Sequence, residues 1–232
     1  MKVAILGKIF KSEPTEYITK IISLLEKKKV SVFLEFEYFK SLKGFISESV
    51  SSFNELDKSF DLLISIGGDG TILRSITYVK DSNIPILGIN TGRLGFLTSV
   101  QKENIEEAIS LIDKAKFSII KRTLLEVKSD SQNDAFYDYP FALNEITIQR
   151  KDTTSLLNIS CQINGNYLTN YWSDGLIVST PTGSTGYSLS CGGPVLTPDV
   201  KSFVITPIAP HNLNARPLVI TDDTIIKLKV SG

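Results

Sequence analysis

The first half of the chain alternates short apolar runs with amphipathic segments. The runs at 2–6, 61–66 and 84–89 are apolar at almost every position, which is typical of strands covered on both faces. A β-rich segment at 30–36 predicts another strand. Segment 13–29 repeats its apolar residues at helical spacing, with Ser12 as a cap and Pro14 tolerated in the first turn. We expect further helices over 72–80 and 104–115, and this alternation predicts a parallel sheet with right-handed crossovers.

The pattern changes at about residue 117, where short β-rich segments separated by turn signals begin. We expect strands within 124–128, 143–149, 157–163, 175–179, 202–208 and 224–230. No helix of comparable strength is expected in this half. The predicted fold class is therefore α/β plus all-β, with a Rossmann-like domain over 1–118 and a β-rich, sandwich-like domain over 119–232.

Composition narrows the classes of function. Lys plus Arg number 25 and Asp plus Glu number 25, and this neutrality argues against a general nucleic-acid binder. Two cysteines outside any CxxC pair and one histidine, His211, argue against a structural zinc site and a disulfide framework. The chain shows neither a signal peptide nor an apolar run of about 20 residues, so we expect a cytoplasmic protein without membrane contact.

A glycine-rich turn follows the apolar run at 61–66 and reads GGDGT at 67–71. Glycines let backbone approach a phosphate closely, and the start of the next helix offers free N–H groups. A carboxylate beside a phosphate is unfavourable, because the two negative charges repel each other. Its presence makes sense if Asp69 holds a divalent cation or accepts a proton. Arg74, five residues on, could meet a phosphate or be a solvated surface arginine. The glycines alone could also form an ordinary strand-to-helix turn, but Asp69 and Thr71 favour phosphoryl transfer.

A second candidate site is the segment 180–194, which reads TPTGSTGYSLSCGGP. It combines small residues, hydroxyl groups and one aromatic ring, which suits close contact with a nucleotide. Asn144 and Glu145 could hold an adenine edge and a ribose diol, but from these two residues alone an ordinary loop-to-strand entry is the better explanation. Asp174, directly before a predicted strand, is similarly ambiguous, and His211 is expected to be structural.

Taken in order, GGDGT, TGRLGFL (91–97), NE (144–145), SDGLIVSTPTGSTGYSLSCGGP (173–194) and APHNLNARPLV (209–219) closely resemble the NAD kinase family. The resemblance runs from residue 1 to near residue 230. GGDG is shared with lipid kinases and phosphofructokinases, and the 180–194 segment is the specific part. The resemblance implies phosphorylation of NAD at the 2′-hydroxyl of its adenosine ribose, giving NADP, in a site between the two domains.

The resemblance also assigns roles to residues. Asp69 would accept the proton of the 2′-hydroxyl. The remaining predicted contacts to the dinucleotide are Asp69, Gly70, Arg74, Asn144 (adenine), Glu145 (ribose diol), Asp174 (nicotinamide end), Thr182, Thr185, Gly186, Tyr187, Ser188, Leu189 and Ser190. No protein ligand to a metal is named.

The same resemblance implies ATP or polyphosphate as donor, a divalent cation expected to be magnesium, and a homodimer or homotetramer formed through the β domain. Family members usually continue several dozen residues further, so a truncated β domain is expected. Two other functions stay open at this point. One is a related lipid or sugar kinase, and the other is a dinucleotide-binding protein without turnover.

Overall fold

The computed structural model describes residues 1–7, 15–92, 95–114, 116–130, 139–151, 155–212 and 214–231. The chain divides into two compact units, Met1–Ile119 and Ile120–Gly232. None of the helices in the described part of the chain has the length and apolar character needed to span a bilayer.

Unit 1 is built on a parallel sheet of six strands. The strands are β1 (Lys2–Gly7), β2 (Ser31–Glu35), β3 (Ser51–Phe53), β4 (Leu62–Ile66), β5 (Ile86–Asn90) and β6 (Val100–Gln101). Their order across the sheet is β3-β2-β1-β4-β5-β6, with every pair parallel. The order reverses between β1 and β4. In sheets of this kind, ligands bind outside the carboxyl ends of the strands at such a switch point.

Helices cover the sheet of unit 1. They are α1 (Thr15–Lys27), α2 (Phe36–Ser41), α3 (Asp69–Val79) and α4 (Ile105–Asp113), the last preceded by a 3-10 turn over Lys102–Asn104. β4 is buried along its whole length, as its apolar run requires. Apolar side chains of α1 and α4 pack with β1, β2 and β4 into one core, which fixes the carboxyl ends of these strands.

Unit 2 is antiparallel throughout its described strands. They are β7 (Leu125–Glu126), β8 (Phe141–Ala142), β9 (Glu145–Gln149), β10 (Leu157–Ile163), β11 (Asn166–Ser173), β12 (Gly175–Ser179), β13 (Ser202–Ile208), β14 (Leu218–Thr221) and β15 (Ile226–Ser231). The larger sheet runs β14-β13-β12-β9 and the smaller one β11-β10-β15, with β7 and β8 as a separate pair. Ile159, Tyr171, Leu176 and Ile205 form a shared apolar core from strands of both sheets.

The predicted fold class is confirmed by these two arrangements. The details differ at element ends. Predicted strand 30–36 stops at Glu35, where α2 begins, and α3 begins at Asp69, three residues before the predicted start at 72. The segment 180–194 contains a 3-10 turn over Thr182–Thr185 and a short helix, α5 (Tyr187–Ser190), where no helix was expected. The predicted cap Ser12 and Pro14 lie outside the described residues.

Candidate active site

The glycine turn after β4 is a tight connection that starts α3 at Asp69. Gly67 has a φ of +149°, and a Cβ there would lie 3.1 Å from Cβ of Thr71, so a side chain is excluded both by strain and by space. Gly68 and Gly70 are exposed, and a Cβ on either would meet no atom within 4 Å. The turn therefore places Asp69 at the carboxyl end of β4, beside open backbone.

The carboxylate of Asp69 is held by the loop that follows β5. The backbone N–H groups of Phe96 and Leu97 donate to Asp69 Oδ2 at 2.7 Å and Oδ1 at 3.0 Å. Gly95 permits this approach, because a Cβ there would lie 2.6 Å from Cγ of Asp69. Each carboxylate oxygen thus has one charge-assisted hydrogen bond and keeps further acceptor capacity.

Arg74 is anchored through one of its terminal nitrogens. Nη2 lies 3.3 Å from Oε1 of the buried Glu35 and donates to the Tyr78 hydroxyl at 3.4 Å, while that hydroxyl donates to Glu35 Oε1 at 3.2 Å. Glu35 also caps α2 by accepting from Tyr38 N at 3.0 Å. The Arg74 side chain is 44% exposed, so its guanidinium is fixed in direction and still open to solvent.

In unit 2, three hydroxyl groups anchor the segment 180–194 from within. The Thr180 hydroxyl donates to Leu143 O and accepts from Gly183 N, and Ser184 Oγ donates to Pro181 O and accepts from Leu196 N. Ser188 Oγ shares a hydrogen bond of 2.9 Å with Thr206 Oγ1 of β13. All three hydroxyls are buried, and they recur every four residues.

Pro181 and Gly183 are buried with the anchors, whereas most of the predicted contact residues of the segment are accessible. Thr185, Tyr187, Leu189 and Ser190 are exposed, and Thr182 and Gly186 are partly buried. Arg122 Nη1 reaches Thr182 Oγ1 at 3.4 Å. Of the predicted contact residues in this segment, Ser188 alone is fully buried in unit 2, where it pairs with Thr206.

Asn144 and Glu145 lie directly against this segment. Asn144 O accepts from Thr180 N at 2.9 Å, and a Cβ on Gly183 would lie 2.7 Å from Cα of Asn144. Glu145 begins β9 opposite Ser179, and its Oε2 is close to Gly186, where an added Cβ would lie 3.1 Å away. This oxygen is buried and has no hydrogen-bond partner among the described residues, and burial raises the pKa of Glu145.

Asp174 lies between β11 and β12, at the opposite end of β12 from Glu145. Its side chain pairs with Arg150 at 3.1 Å, and its backbone N–H donates to Ile208 O. The partner strands fix its position, but the structure does not bring it to Glu145. His211, near the same end, uses its backbone N–H to bond Trp172 O.

Comparisons with known proteins match most of the chain. The family model described as ATP-NAD kinase N-terminal domain matches residues 4–117, and the ATP-NAD kinase C-terminal domain matches residues 143–231. The chain belongs to the NAD kinase family. Both matched ranges include predicted site residues, with Asp69 and Arg74 in the first and the 180–194 segment in the second.

Relatives and solved structures agree with membership of the NAD kinase family. The chain is 54% identical to the NAD kinase of Flavobacterium psychrophilum, with all of this chain and 81% of the relative covered. It is 43% identical to that of Bacteroides fragilis, covering all of this chain and 80% of the relative.

Two solved structures have the same fold. Yeast NADH kinase in complex with NADH superposes with a TM-score of 0.85 at 28% identity, covering 99% of this chain and 72% of that one. An NAD kinase from Archaeoglobus fulgidus in complex with ATP gives 0.74 at 30% identity, covering 99% and 81%. The predicted family and its class, a phosphotransferase, are confirmed.

Several groups that contact the predicted site residues were not predicted. They are the amides of Phe96 and Leu97, the Glu35 and Tyr78 partners of Arg74, and the Thr206 partner of Ser188. The sequence signal nearest to these groups is Gly95, beside Phe96, since a glycine in a turn can mark a close backbone approach. Among the described residues, no cluster of three or more His, Cys, Asp or Glu is arranged to hold a metal.

Proposed function

We propose that this NAD kinase family member transfers a phosphoryl group to the 2′-hydroxyl of the adenosine ribose of NAD, with Asp69 as proton acceptor. The observation that carries the proposal is the Asp69 carboxylate, fixed by two backbone donors at the carboxyl end of β4 beside the switch point. The hydroxyl oxygen forms a bond to phosphorus, the donor's bridging P–O bond breaks, and the hydroxyl proton passes to Asp69.

In unit 2 the dinucleotide would be bound by Glu145, by Asn144 and Asp174, and by the outward residues of the 180–194 segment. Glu145 Oε2 is buried and unpartnered among the described residues, so a ribose diol that donates to it would remove an energetic cost. The outward residues of the 180–194 segment, Thr182, Thr185, Gly186, Tyr187, Leu189 and Ser190, would line the adenosine. Asn144 would contact adenine and Asp174 the nicotinamide end.

Ser188 would support the 180–194 segment and would not contact the dinucleotide through its hydroxyl. Its hydroxyl is committed to Thr206, so it would shape the segment from inside. Gly70 offers open backbone to the dinucleotide, and Arg74 would meet a phosphate with the part of its guanidinium that Glu35 and Tyr78 leave exposed.

The phosphoryl donor would be ATP or polyphosphate, accompanied by magnesium. Magnesium usually binds one or two carboxylates together with substrate phosphates and several waters. Asp69 fits such an ion, because each of its oxygens accepts only one amide from the described residues and keeps a lone pair. The ion would neutralise charge on the transferring group, while Asp69 handles the proton.

A cytoplasmic location and a homodimer or homotetramer complete the proposal. The smaller sheet of unit 2 supports an assembly, because its edge strand β11 exposes Tyr167 and Trp172 at 64% and 53%. Exposed aromatic residues of this size are enriched where protein surfaces meet. Light scattering of the purified protein would give the assembly size, and a monomer at micromolar concentration would contradict it.

The activity is tested by a coupled assay. The purified protein is incubated with NAD, magnesium and either ATP or polyphosphate, and NADP is detected with an NADP-specific dehydrogenase. We expect NADP to form with at least one donor. Tight NAD binding without NADP under all conditions would instead identify a dinucleotide-binding protein without turnover.

A further inference from the structure

The loop between β5 and β6 is attached to the sheet on both sides of Asp69's amide donors. Asn90 is 1% exposed, and its Oδ1 accepts from Gly92 N at 2.7 Å while its Nδ2 donates to Thr98 Oγ1 at 3.2 Å. Ser99 N donates to Gly88 O at 3.1 Å. These bonds fix both ends of the loop that presents the amides of Phe96 and Leu97.

Asp69 depends on this loop for its orientation. It is the first residue of α3, and among the described residues its carboxylate has no hydrogen-bond partner other than the two amides. A carboxylate has about four acceptor sites, so two amides leave about two for a reacting hydroxyl. Without the amides, no hydrogen bond from the described residues would fix the χ1 and χ2 angles of Asp69.

We propose that 95–97 is a positioning segment for the reaction. Gly95 admits the backbone, and the amides of Phe96 and Leu97 hold the Asp69 carboxylate in the orientation in which it accepts the proton. This inference rests on the proposed function of Asp69. The segment acts on kcat through Asp69 and does not itself contact the reacting atoms. Its effect can be large, because a misplacement of about 1 Å can cost about a hundredfold in rate.

Gly95→Ala tests the contact first by stability, which does not depend on turnover. The new Cβ would collide with the Asp69 side chain, so the melting temperature should fall. In the background of Asp69→Ala the colliding atoms are gone, and the same change should cost much less. Gly92→Ala, in the same loop with no atom within 4 Å of an added Cβ, is the matched control and should melt like the parent.

The turnover of Gly95→Ala is compared in the same way, with and without a change at Asp69. Gly95→Ala should lower kcat about a hundredfold while KM for NAD changes less than about threefold. In the background of Asp69→Asn it should lower kcat little further, because residues that act as one unit are not additive. An equal loss in both backgrounds would show a merely structural role and overturn the proposal.

A second pair of variants serves if Gly95→Ala does not fold. Leu97→Pro removes one amide donor, whereas Leu97→Ala shortens the side chain and keeps the donor. The proline variant should lose about tenfold more kcat than the alanine variant, and this difference should vanish in Asp69→Asn. Equal kcat for the two would contradict the proposal. A parent that forms no NADP would refute the proposed function, while the melting comparison would still decide the contact.

Discussion

Two carboxylates, one in each unit, have opposite surroundings. Asp69 in unit 1 accepts two backbone N–H groups at 2.7 and 3.0 Å, supplied by a loop that is itself bonded to the sheet. Glu145 in unit 2 has a buried oxygen that no described residue bonds, and burial raises the pKa of its carboxyl group. The first is satisfied and oriented by the protein, whereas the second is desolvated and left open.

The difference separates positioning from binding. A group that takes part in bond making benefits from fixed geometry, since reorganisation at the moment of reaction slows the step. A group that only recognises a ligand can remain unsatisfied, because the ligand's own hydrogen bonds then relieve the cost of burial. In this view Asp69 would act mainly on kcat and Glu145 mainly on affinity.

Removing the charge of Asp69 should have the largest effect. Asp69→Asn keeps the size of the side chain but loses its ability to accept a proton, so kcat should fall about 10²- to 10⁴-fold. NAD binding, measured by calorimetry, should stay within a few-fold of the parent. Activity within a few-fold of the parent would refute Asp69 as the proton acceptor.

Glu145→Gln should reverse this pattern. It replaces a charged acceptor by a neutral one, and hydrogen bonds to charged groups contribute about 1.5–3 kcal/mol, so NAD affinity should fall at least about tenfold. The ligand-free protein should melt at the same or a higher temperature, because a desolvated carboxylate is removed. Unchanged affinity together with reduced kcat would contradict the division between the two carboxylates.

The pair formed by Ser188 and Thr206 tests whether the segment beside Glu145 is shaped from within. Ser188→Ala leaves the Thr206 hydroxyl buried without its partner, which should destabilise the fold by about 1–3 kcal/mol and weaken NAD binding. Thr206→Val added to this variant should restore part of the stability. Strictly additive losses in urea unfolding would show that the two hydroxyls are not coupled.

The pH dependence of stability gives a smaller, independent signal from Glu145. Its pKa is higher in the folded state, so its proton favours folding at low pH, and this contribution is lost as pH rises through the folded pKa. The advantage of Glu145→Gln over the parent in free energy of unfolding should therefore grow from pH 4 to pH 7. Each unit of pKa difference corresponds to about 1.4 kcal/mol.

Saturating NAD should reduce the pH-dependent increase in the stability advantage of Glu145→Gln, because a diol that donates to the Glu145 carboxylate favours its ionised form. Urea titrations at several pH values, with and without NAD, measure both effects. A constant difference between Glu145→Gln and the parent across this range would show that Glu145 does not titrate differently in the folded state.

Strong local patterns were sufficient to predict four of the six strands of unit 1 and the glycine turn at 67–71. The two edge strands, β3 and β6, were not predicted. Buried parallel strands read as continuous apolar runs, and GGDGT follows one of them. Strands with mostly exposed residues were not predicted. β11 (Asn166–Ser173) is mostly exposed, so its sequence lacks the apolar run by which its neighbours were recognised. α2 was not predicted, and only its first residue, Phe36, was assigned, to the end of a strand.

The partners of the site residues were the least predictable part. The bonds that orient Asp69 come from backbone N–H groups 27 and 28 residues away, and a backbone group leaves no mark in the sequence. The pairing of Ser188 with Thr206 likewise depends on how β13 lies beside the segment. Residue types indicated the chemistry, but only the tertiary fold assigns each donor to its acceptor.

The four-residue repeat of anchored hydroxyls in the 180–194 segment has a consequence for how this protein could change. Thr180, Ser184 and Ser188 secure the backbone, whereas the side chains of Tyr187, Leu189 and Ser190 are exposed. A combinatorial library that varies 187, 189 and 190 while keeping the three anchors should yield mostly folded variants. Substrate preference could then be evolved in the laboratory along one side of the segment without loss of its shape.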